Sequence, residues 1–325
     1  MKPAFLITID TEGDHLWSSP REITTRNALF LGRFQQLCER YELKPTYLVD
    51  YEMAESPDFQ QLGRDILRRG TGEIGGHLHA WNNPPLVALT PDDGQRQPYL
   101  CEYPPAVMKA KIHALTSRLE EVFQTPLVSH RAGRWALDGL YARLLDERGY
   151  RVDCSVLPGE RWTVATTDPS RPVTLDFRGF PDQPYFLDFD NLRVPGTSHL
   201  LELPMTVRPR RPTLERLREA WEPNGAVRRG LDRILPRRLD WLRPNGRNLN
   251  RLLGLLNTVR AERHPYAQFM LHSSEFMPGG SPTFRTPAHI ERLHANLETL
   301  FAAARRHFRG MTLQEFYDAF ANASV

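Results

Sequence analysis

The chain has 325 residues, a hydrophobic fraction of 40% and a formal net charge of +3. That length suits one large α/β unit or two small ones, and so small a charge makes no electrostatic case for a nucleic-acid partner. Lysine occurs only at Lys2, Lys44, Lys109 and Lys111, so nearly all positive charge is arginine and a single arginine carries little weight by itself. Cys38, Cys101 and Cys154 are odd in number and widely spaced, which argues against a disulfide framework or a CxxC metal site and for a reducing compartment. The apolar run Ala4-Phe5-Leu6-Ile7 is too short for a signal core and runs into acids. No stretch approaches the roughly 18 apolar residues of a membrane span. The expected protein is soluble and cytoplasmic, with no transmembrane segment.

The predicted elements alternate. Strand 4–9 precedes a helix over 26–41, with Leu29, Phe30, Phe34 and Leu37 on one face. Strand 45–49, helix 59–69 closed by Gly70, and strand 73–77 follow. A Pro-rich loop over 82–105 leads to helix 106–123, strand 127–130, helix 137–148 ending at Gly149, and strand 150–154. Such alternation predicts a parallel sheet covered by helices. Beyond Pro158 the pattern breaks into short strands at 173–177, 185–189 and 200–207, separated by Pro, Gly and Asp turns. Residues 208–247 are rich in Arg and Pro, have no evident partner strand, and read as an irregular helical insertion or lid. Helix 247–263, strand 266–271, helix 287–307 and a short segment at 313–320 close the chain. The expected architecture is a single α/β barrel over residues 1–325, irregular or incomplete, with its insertion at about 208–247.

Five polar islands end apolar runs: Ile7 to Asp14, Glu73 to Trp81, Ser129 to Trp135, Val152 to Ser155, and Phe269 to Glu275. In a barrel all five fall at the C-terminal ends of strands, where barrel enzymes place their chemistry. Asp10, Glu12 and Asp14 are spaced by two and share a face in extended backbone, so one acid can bind metal while a neighbour acts as general base. His77 and His79 are likewise two apart, and two imidazoles with a carboxylate make the ligand set of an open catalytic Zn²⁺ site. Arg131 is placed to keep a catalytic Asp ionised. His272 suits a general acid, and Asp153 is a candidate to hold and tune its imidazole. Trp81, Arg134 and Trp135 are candidates to wall a substrate pocket. No Gly-rich phosphate loop, nucleophile elbow or dinucleotide fingerprint occurs. The chemistry read from these residues is that of a metal-dependent hydrolase.

The ordered set resembles the polysaccharide deacetylases of carbohydrate esterase family 4, the NodB-homology proteins. Thr8-Ile9-Asp10-Thr11-Glu12-Gly13 stands where the family has Thr-Phe-Asp-Asp-Gly. Glu73-Ile74-Gly75 matches the approach to its second motif, His130-Arg131-Ala132-Gly133-Arg134-Trp135 is similar to its arginine motif, and Met270-Leu271-His272 to its final Leu-x-His. The resemblance spans roughly residues 4–276, and the wording His-Leu-His-Ala-Trp … His-Ser-Ser-Glu is similar to a cytoplasmic subgroup associated with bacterial O-antigen and related surface-polysaccharide clusters. It implies a distorted (β/α)7 barrel and, as cofactor, zinc. By position it implies Asp10 as general base, Glu12 and His77 as metal ligands, Arg131 as the partner of the base and His272 as general acid. Two departures stand out. The family's metal histidines are four apart, yet position 81 is Trp, so His79 must substitute or the metal is lost. The first acid pair is also non-standard, leaving Glu12 and Asp14 as competing ligands.

The expected reaction is hydrolysis of an N-acetyl group on an amino sugar, with a nucleotide- or lipid-linked precursor favoured by the cytoplasmic expectation. The arginines of 208–251 would offer phosphate contacts or weak association with the inner membrane face, against the plainer reading of a solvated insertion. Two rival readings keep the scaffold: an amidohydrolase acting on a small non-sugar amide or imide, and an inactive carbohydrate-binding or assembly module, which the Trp at position 81 favours. A glycosidase with Asp10 and Asp153 as its paired acids leaves the His pair unexplained.

Overall fold

The computed structural model describes residues 2–18, 22–163, 174–211, 213 and 238–323. In chain order the strands are β1 (Ala4–Thr11), β2 (Pro45–Val49), β3 (Glu73–Leu78), β4 (Ser129–Ala132), β5 (Val152–Asp153), β6 (Arg161–Thr163), β7 (Thr174–Asp176), β8 (Tyr185–Phe186), β9 (Leu201–Glu202), β10 (Val207–Pro209), β11 (Leu239–Trp241), β12 (Tyr266–His272) and β13 (Arg309–Met311). Nine of them form one curled sheet in the order β12-β1-β2-β3-β4-β5-β9-β8, with β13 pairing β1 as a branch. Every neighbour from β12 to β9 is parallel, and only the edge pair β8–β9 is antiparallel. The fold is a distorted NodB-like (β/α) barrel, the expected class.

Alternation along each strand sorts the side chains into two layers. On β1, Phe5, Ile7 and Ile9 point outward into the large core shared with the helices, where Phe34, Phe269 and Phe301 pack. Ala4 and Leu6 point inward with Leu48, Cys154, Leu203 and Tyr266, and helix Leu313–Ala323 supplies Leu313 and Phe316 to that interior. Thr8 and Asp10 continue the inward phase, which is why polar groups occupy the barrel's upper end. The outer helices start and stop where the chemistry of their ends dictates. Ser56 caps Pro57–Arg69 and Asp138 caps Gly139–Arg148, each accepting from a first-turn amide. Gly70 and Gly149 end them with φ of 63° and 104°, the left-handed C-cap geometry.

Three expectations need correction. The helix expected from residue 26 begins as a 3-10 turn, Arg26–Phe30, before the α-helix Leu31–Arg40, because Asn27 and the Arg26 amide are drawn to Asp14. Segment 173–177 contributes no strand to the barrel: β7 pairs antiparallel with β6 in a separate two-stranded sheet. Residues 207–209 do have a partner, since β10 and β11 pair antiparallel and bring the ends of the 208–247 segment together. The body of that insertion, residue 212 and residues 214–237, lies outside the described residues.

Between β9 and β12 the wall closes without a ladder. Leu242 N–H donates to Thr206 O at 3.0 Å, and its carbonyl accepts from Met270 N–H at 3.3 Å. Gln268 N–H donates to Thr206 Oγ1 at 2.8 Å and the Tyr266 hydroxyl to Pro204 O at 2.6 Å. Among the described residues no helix is long and apolar enough to cross a membrane.

Candidate active site

Ladder register brings the islands together. Asp10 on β1 is the direct partner of His272 on β12, and His77 on β3 is the partner of Arg131 on β4. Partners in a parallel pair point to the same face, so all four enter the barrel mouth. Glu12, just past β1, and His79, just past β3, keep the inward phase. Glu12 Oε2 lies 3.0 Å from His79 Nε2 and 3.6 Å from His77 Nε2. His77 Nδ1 faces Arg131 O at 3.0 Å; a proton on Nδ1 leaves the Nε2 lone pair facing Glu12. Glu12, His77 and His79 are buried, and their ligand atoms lie within 4.8 Å of one another, a group able to hold a metal ion. Two imidazoles with one carboxylate are the hard-to-borderline donors that Zn²⁺ accepts, so the residues fit such an ion.

Arg131, fully buried, braces the next acid. It donates to Asp10 Oδ1 at 2.5 Å, to Thr8 Oγ1 at 2.9 Å and to Cys154 O at 3.0 Å. Burial pushes the Asp10 carboxyl up, but the Arg131 guanidinium, with His77 and His272, outweighs it and holds Asp10 below the usual carboxylate value. Glu12 is raised by burial and brought below its ordinary value by His272, His77 and His79. Burial lowers His77, but Asp10 and Glu12 carry it above the ordinary value; for His79 burial prevails and the value falls. His272 Nε2 stands 3.8 Å from Asp10 Oδ2 and 3.9 Å from Glu12 Oε1. The arrangement is a buried acid kept ionised, a group able to hold a metal and an imidazole around one point, the parts that hydrolysis of a carbonyl compound uses.

Two expected site residues go elsewhere. Asp14 accepts from Thr24 Oγ1, Arg26 N–H, Asn27 N–H and Asn27 Nδ2 at 2.6–3.0 Å, so its carboxylate is spent on the following loop. This leaves Glu12 as the acid nearest both histidines. Asp153 pairs with His130, its ladder partner, at 2.8 Å rather than with His272. Both share the outward phase and face Tyr141, whose hydroxyl is 2.9 Å from His130 Nε2. Trp81 lines a cavity of about 10 Å³ with His79, Tyr99, Arg134 and Tyr141, room for about one water. The Arg134 guanidinium stacks 3.7 Å above the Tyr99 ring and donates to Gln97 O. Trp135 covers Arg131, with 4.7 Å between its ring and the guanidinium carbon.

Other residues of the site were not foreseen. Ser273 Oγ accepts from Glu12 N–H at 3.1 Å and lies 3.2 Å from Glu12 O, bracing the backbone of Glu12. Asp50 accepts from Gly13 N–H at 2.9 Å and from Met53 N–H at 2.8 Å, tying the β1 loop to a helix start. Glu275 Oε2 accepts from His272 N–H at 3.0 Å. The one available signal was Glu275 itself, standing three residues after His272 in a capping-box spacing.

No protein-family model and no curated protein sequence matches the chain. Solved structures do match its fold. A candidate polysaccharide deacetylase from Mycobacterium smegmatis aligns at TM-score 0.56 and 15% identity, covering 100% of this chain and 95% of that one. A candidate glycoside hydrolase/deacetylase from Parabacteroides distasonis aligns at TM-score 0.62 and 9% identity, covering 99% and 72%. A GH57-type branching enzyme from Pyrococcus horikoshii aligns at TM-score 0.53 and 10% identity, covering 98% and 71%. Identities this low establish a shared fold, and the chemistry rests on the side chains above.

Proposed function

We propose that this chain is a metal-dependent N-deacetylase of the carbohydrate esterase family 4 type, which removes an acetyl group from an amino sugar. The observation that carries the reading is the buried Glu12–His77–His79 set flanked by the Asp10–Arg131 pair and by His272. Zinc held by those three residues would supply a Lewis acid and activate water. Asp10, kept ionised by Arg131, takes the proton of the attacking water. Backbone N–H groups near Gly133 are the candidate cradle for the oxyanion. Gly133 is required there, because a Cβ would lie 2.4 Å from Leu78 O and 2.9 Å from His79 Nδ1. His272 Nε2 then delivers a proton to the departing nitrogen. The three cysteines are free, which suits a cytoplasmic site of action on a nucleotide- or lipid-linked precursor of a surface polysaccharide. That part of the reading rests on the sequence resemblance, as does treating residues 1–325 as one catalytic unit with an insertion at about 208–247.

His79, 3.0 Å from Glu12, offers a donor in place of a histidine at position 81, which supports the catalytic reading over an inactive module. Acetate release from N-acetylated amino-sugar oligomers and nucleotide sugars tests the proposal. Asp10→Asn should lower kcat by about 10²–10⁴-fold, the usual worth of a general base. Full activity in that variant would overturn the base assignment, and hydrolysis of a small cyclic amide or imide supplied in parallel, with no acetate released from the amino sugars, would favour the small-amide reading.

A further inference from the structure

His272 ends a strand, and its ring is aimed at Asp10 and Glu12 through Nε2. An imidazole on a strand end swings about two torsions unless the other side of the ring is held. Glu275, 1% exposed, folds back across the 3-10 turn that follows. Its Oε2 lies 3.2 Å from His272 Nδ1 besides accepting the His272 N–H. Arg243 completes the group, donating to Glu275 Oε2 at 3.2 Å; the same nitrogen lies 3.1 Å from His272 Nδ1, to which it donates only when that nitrogen carries no proton, so Glu275 and Arg243 favour opposite tautomers of the ring. Burial raises the Glu275 carboxyl, but Arg243 and His272 hold it below its ordinary value, so it stays an anion.

Arg243 reaches this place through the closing segment of the wall. Trp241 packs edge-on against Trp135, the ring that covers Arg131. Leu242 is bonded to Thr206 and Met270, and the Arg243 carbonyl accepts from Asn248 Nδ2 at 2.9 Å. Three consecutive residues at the end of the insertion thus touch the cover of Arg131, the closure of the wall and the ring of His272.

We propose that Glu275 and Arg243 are a positioning pair for His272: Glu275 accepts the Nδ1 proton and thereby turns Nε2 to the centre, while Arg243, just past β11, donates to Glu275 rather than to the ring and holds that carboxylate in place. The proposal rests on His272 as general acid for its consequence in turnover, but the ring geometry it asserts is measurable without turnover. The role parallels that of the carboxylate that orients a catalytic imidazole in a triad, here supplied from the same turn as the imidazole.

The test is long-range ¹H–¹⁵N spectroscopy of the full chain labelled at histidine, with the His272 signals identified by their loss in His272→Gln. The wild type should show a proton fixed on Nδ1. Glu275→Gln, which keeps an acceptor for the His272 amide, and Arg243→Met should both shift the His272 ring nitrogens, with Arg243→Lys restoring part of the change. An unprotonated Nδ1 in the wild type, or ring shifts unchanged in Glu275→Gln or in Arg243→Met, would overturn the pair; if Glu275→Gln fails to fold, the two Arg243 variants decide. In turnover, Glu275→Gln should cost about 100-fold in kcat with KM little changed, as expected for a misaimed group. Full activity of His272→Gln would instead defeat the general-acid reading while leaving the ring result to judge the pair.

Discussion

At the residue scale, the site follows from strand phase. Asp10, Glu12, His77, His79, Arg131 and His272 were legible because each ends an apolar run and spacing by two keeps a face. The same rule explains the failures. Asp153 and His130 lie on the opposite phase and face the helices. Asp14 lies where β1 has ended and a turn, not a pleat, directs the side chain. Glu275 and Arg243 were illegible as partners because one folds back over a turn and the other arrives from a distant segment. Arg131 is the residue whose loss should be felt most broadly. Arg131→Met leaves Asp10 buried without its counter-charge, which costs about 3–5 kcal/mol. Urea unfolding of the variant checks this, and a loss below about 1 kcal/mol would show that Arg131 serves chemistry alone.

At the element scale, long helices and the first strands were readable from periodicity and caps, whereas strands of two or three residues were not. β5, β8 and β9 are too short to show a period, and the wall's last gap is closed by side-chain and irregular backbone bonds that leave no hydrophobic pattern. The start of the short helix Tyr51–Glu55 after β2 carries a pH signature. Burial pushes the Asp50 carboxyl up to about 7, and burial together with Asp50 pushes Glu52 up to about 9. Both values stand above the unfolded ones, so the native state keeps protons that the unfolded chain has released. Their stabilisation is complete below the ordinary values of 3.8 and 4.5 and is lost as pH rises through about 7 and then about 9. Urea midpoints from pH 5 to 9 should therefore fall with pH, and Glu52→Gln should flatten the upper part of that fall. An unchanged slope in the variant would contradict the assignment. A second local test is the cap of helix Gly139–Arg148, where Asp138 Oδ1 accepts from Tyr141 N–H at 2.8 Å. Asp138→Ala should cost about 1 kcal/mol by thermal or urea unfolding, with metal binding unaffected.

At the scale of the whole molecule, a metal held by Glu12, His77 and His79 would tie together the ends of β1 and β3, two strands that β2 separates. An ion that binds only the folded chain stabilises it by about 2.7 kcal/mol at 100 times its Kd, so zinc should raise the unfolding midpoint of the wild type. It should not do so in Glu12→Gln if the carboxylate is a true ligand. His79, in place of a histidine at position 81, is expected to complete the metal site. Elemental analysis of purified wild type, His79→Ala and Asp14→Asn tests it most directly. One divalent transition metal per chain in the wild type and in Asp14→Asn, lost in His79→Ala, is the expected result. Metal retained at full stoichiometry in His79→Ala, or absent from the wild type even after zinc is supplied, would contradict it.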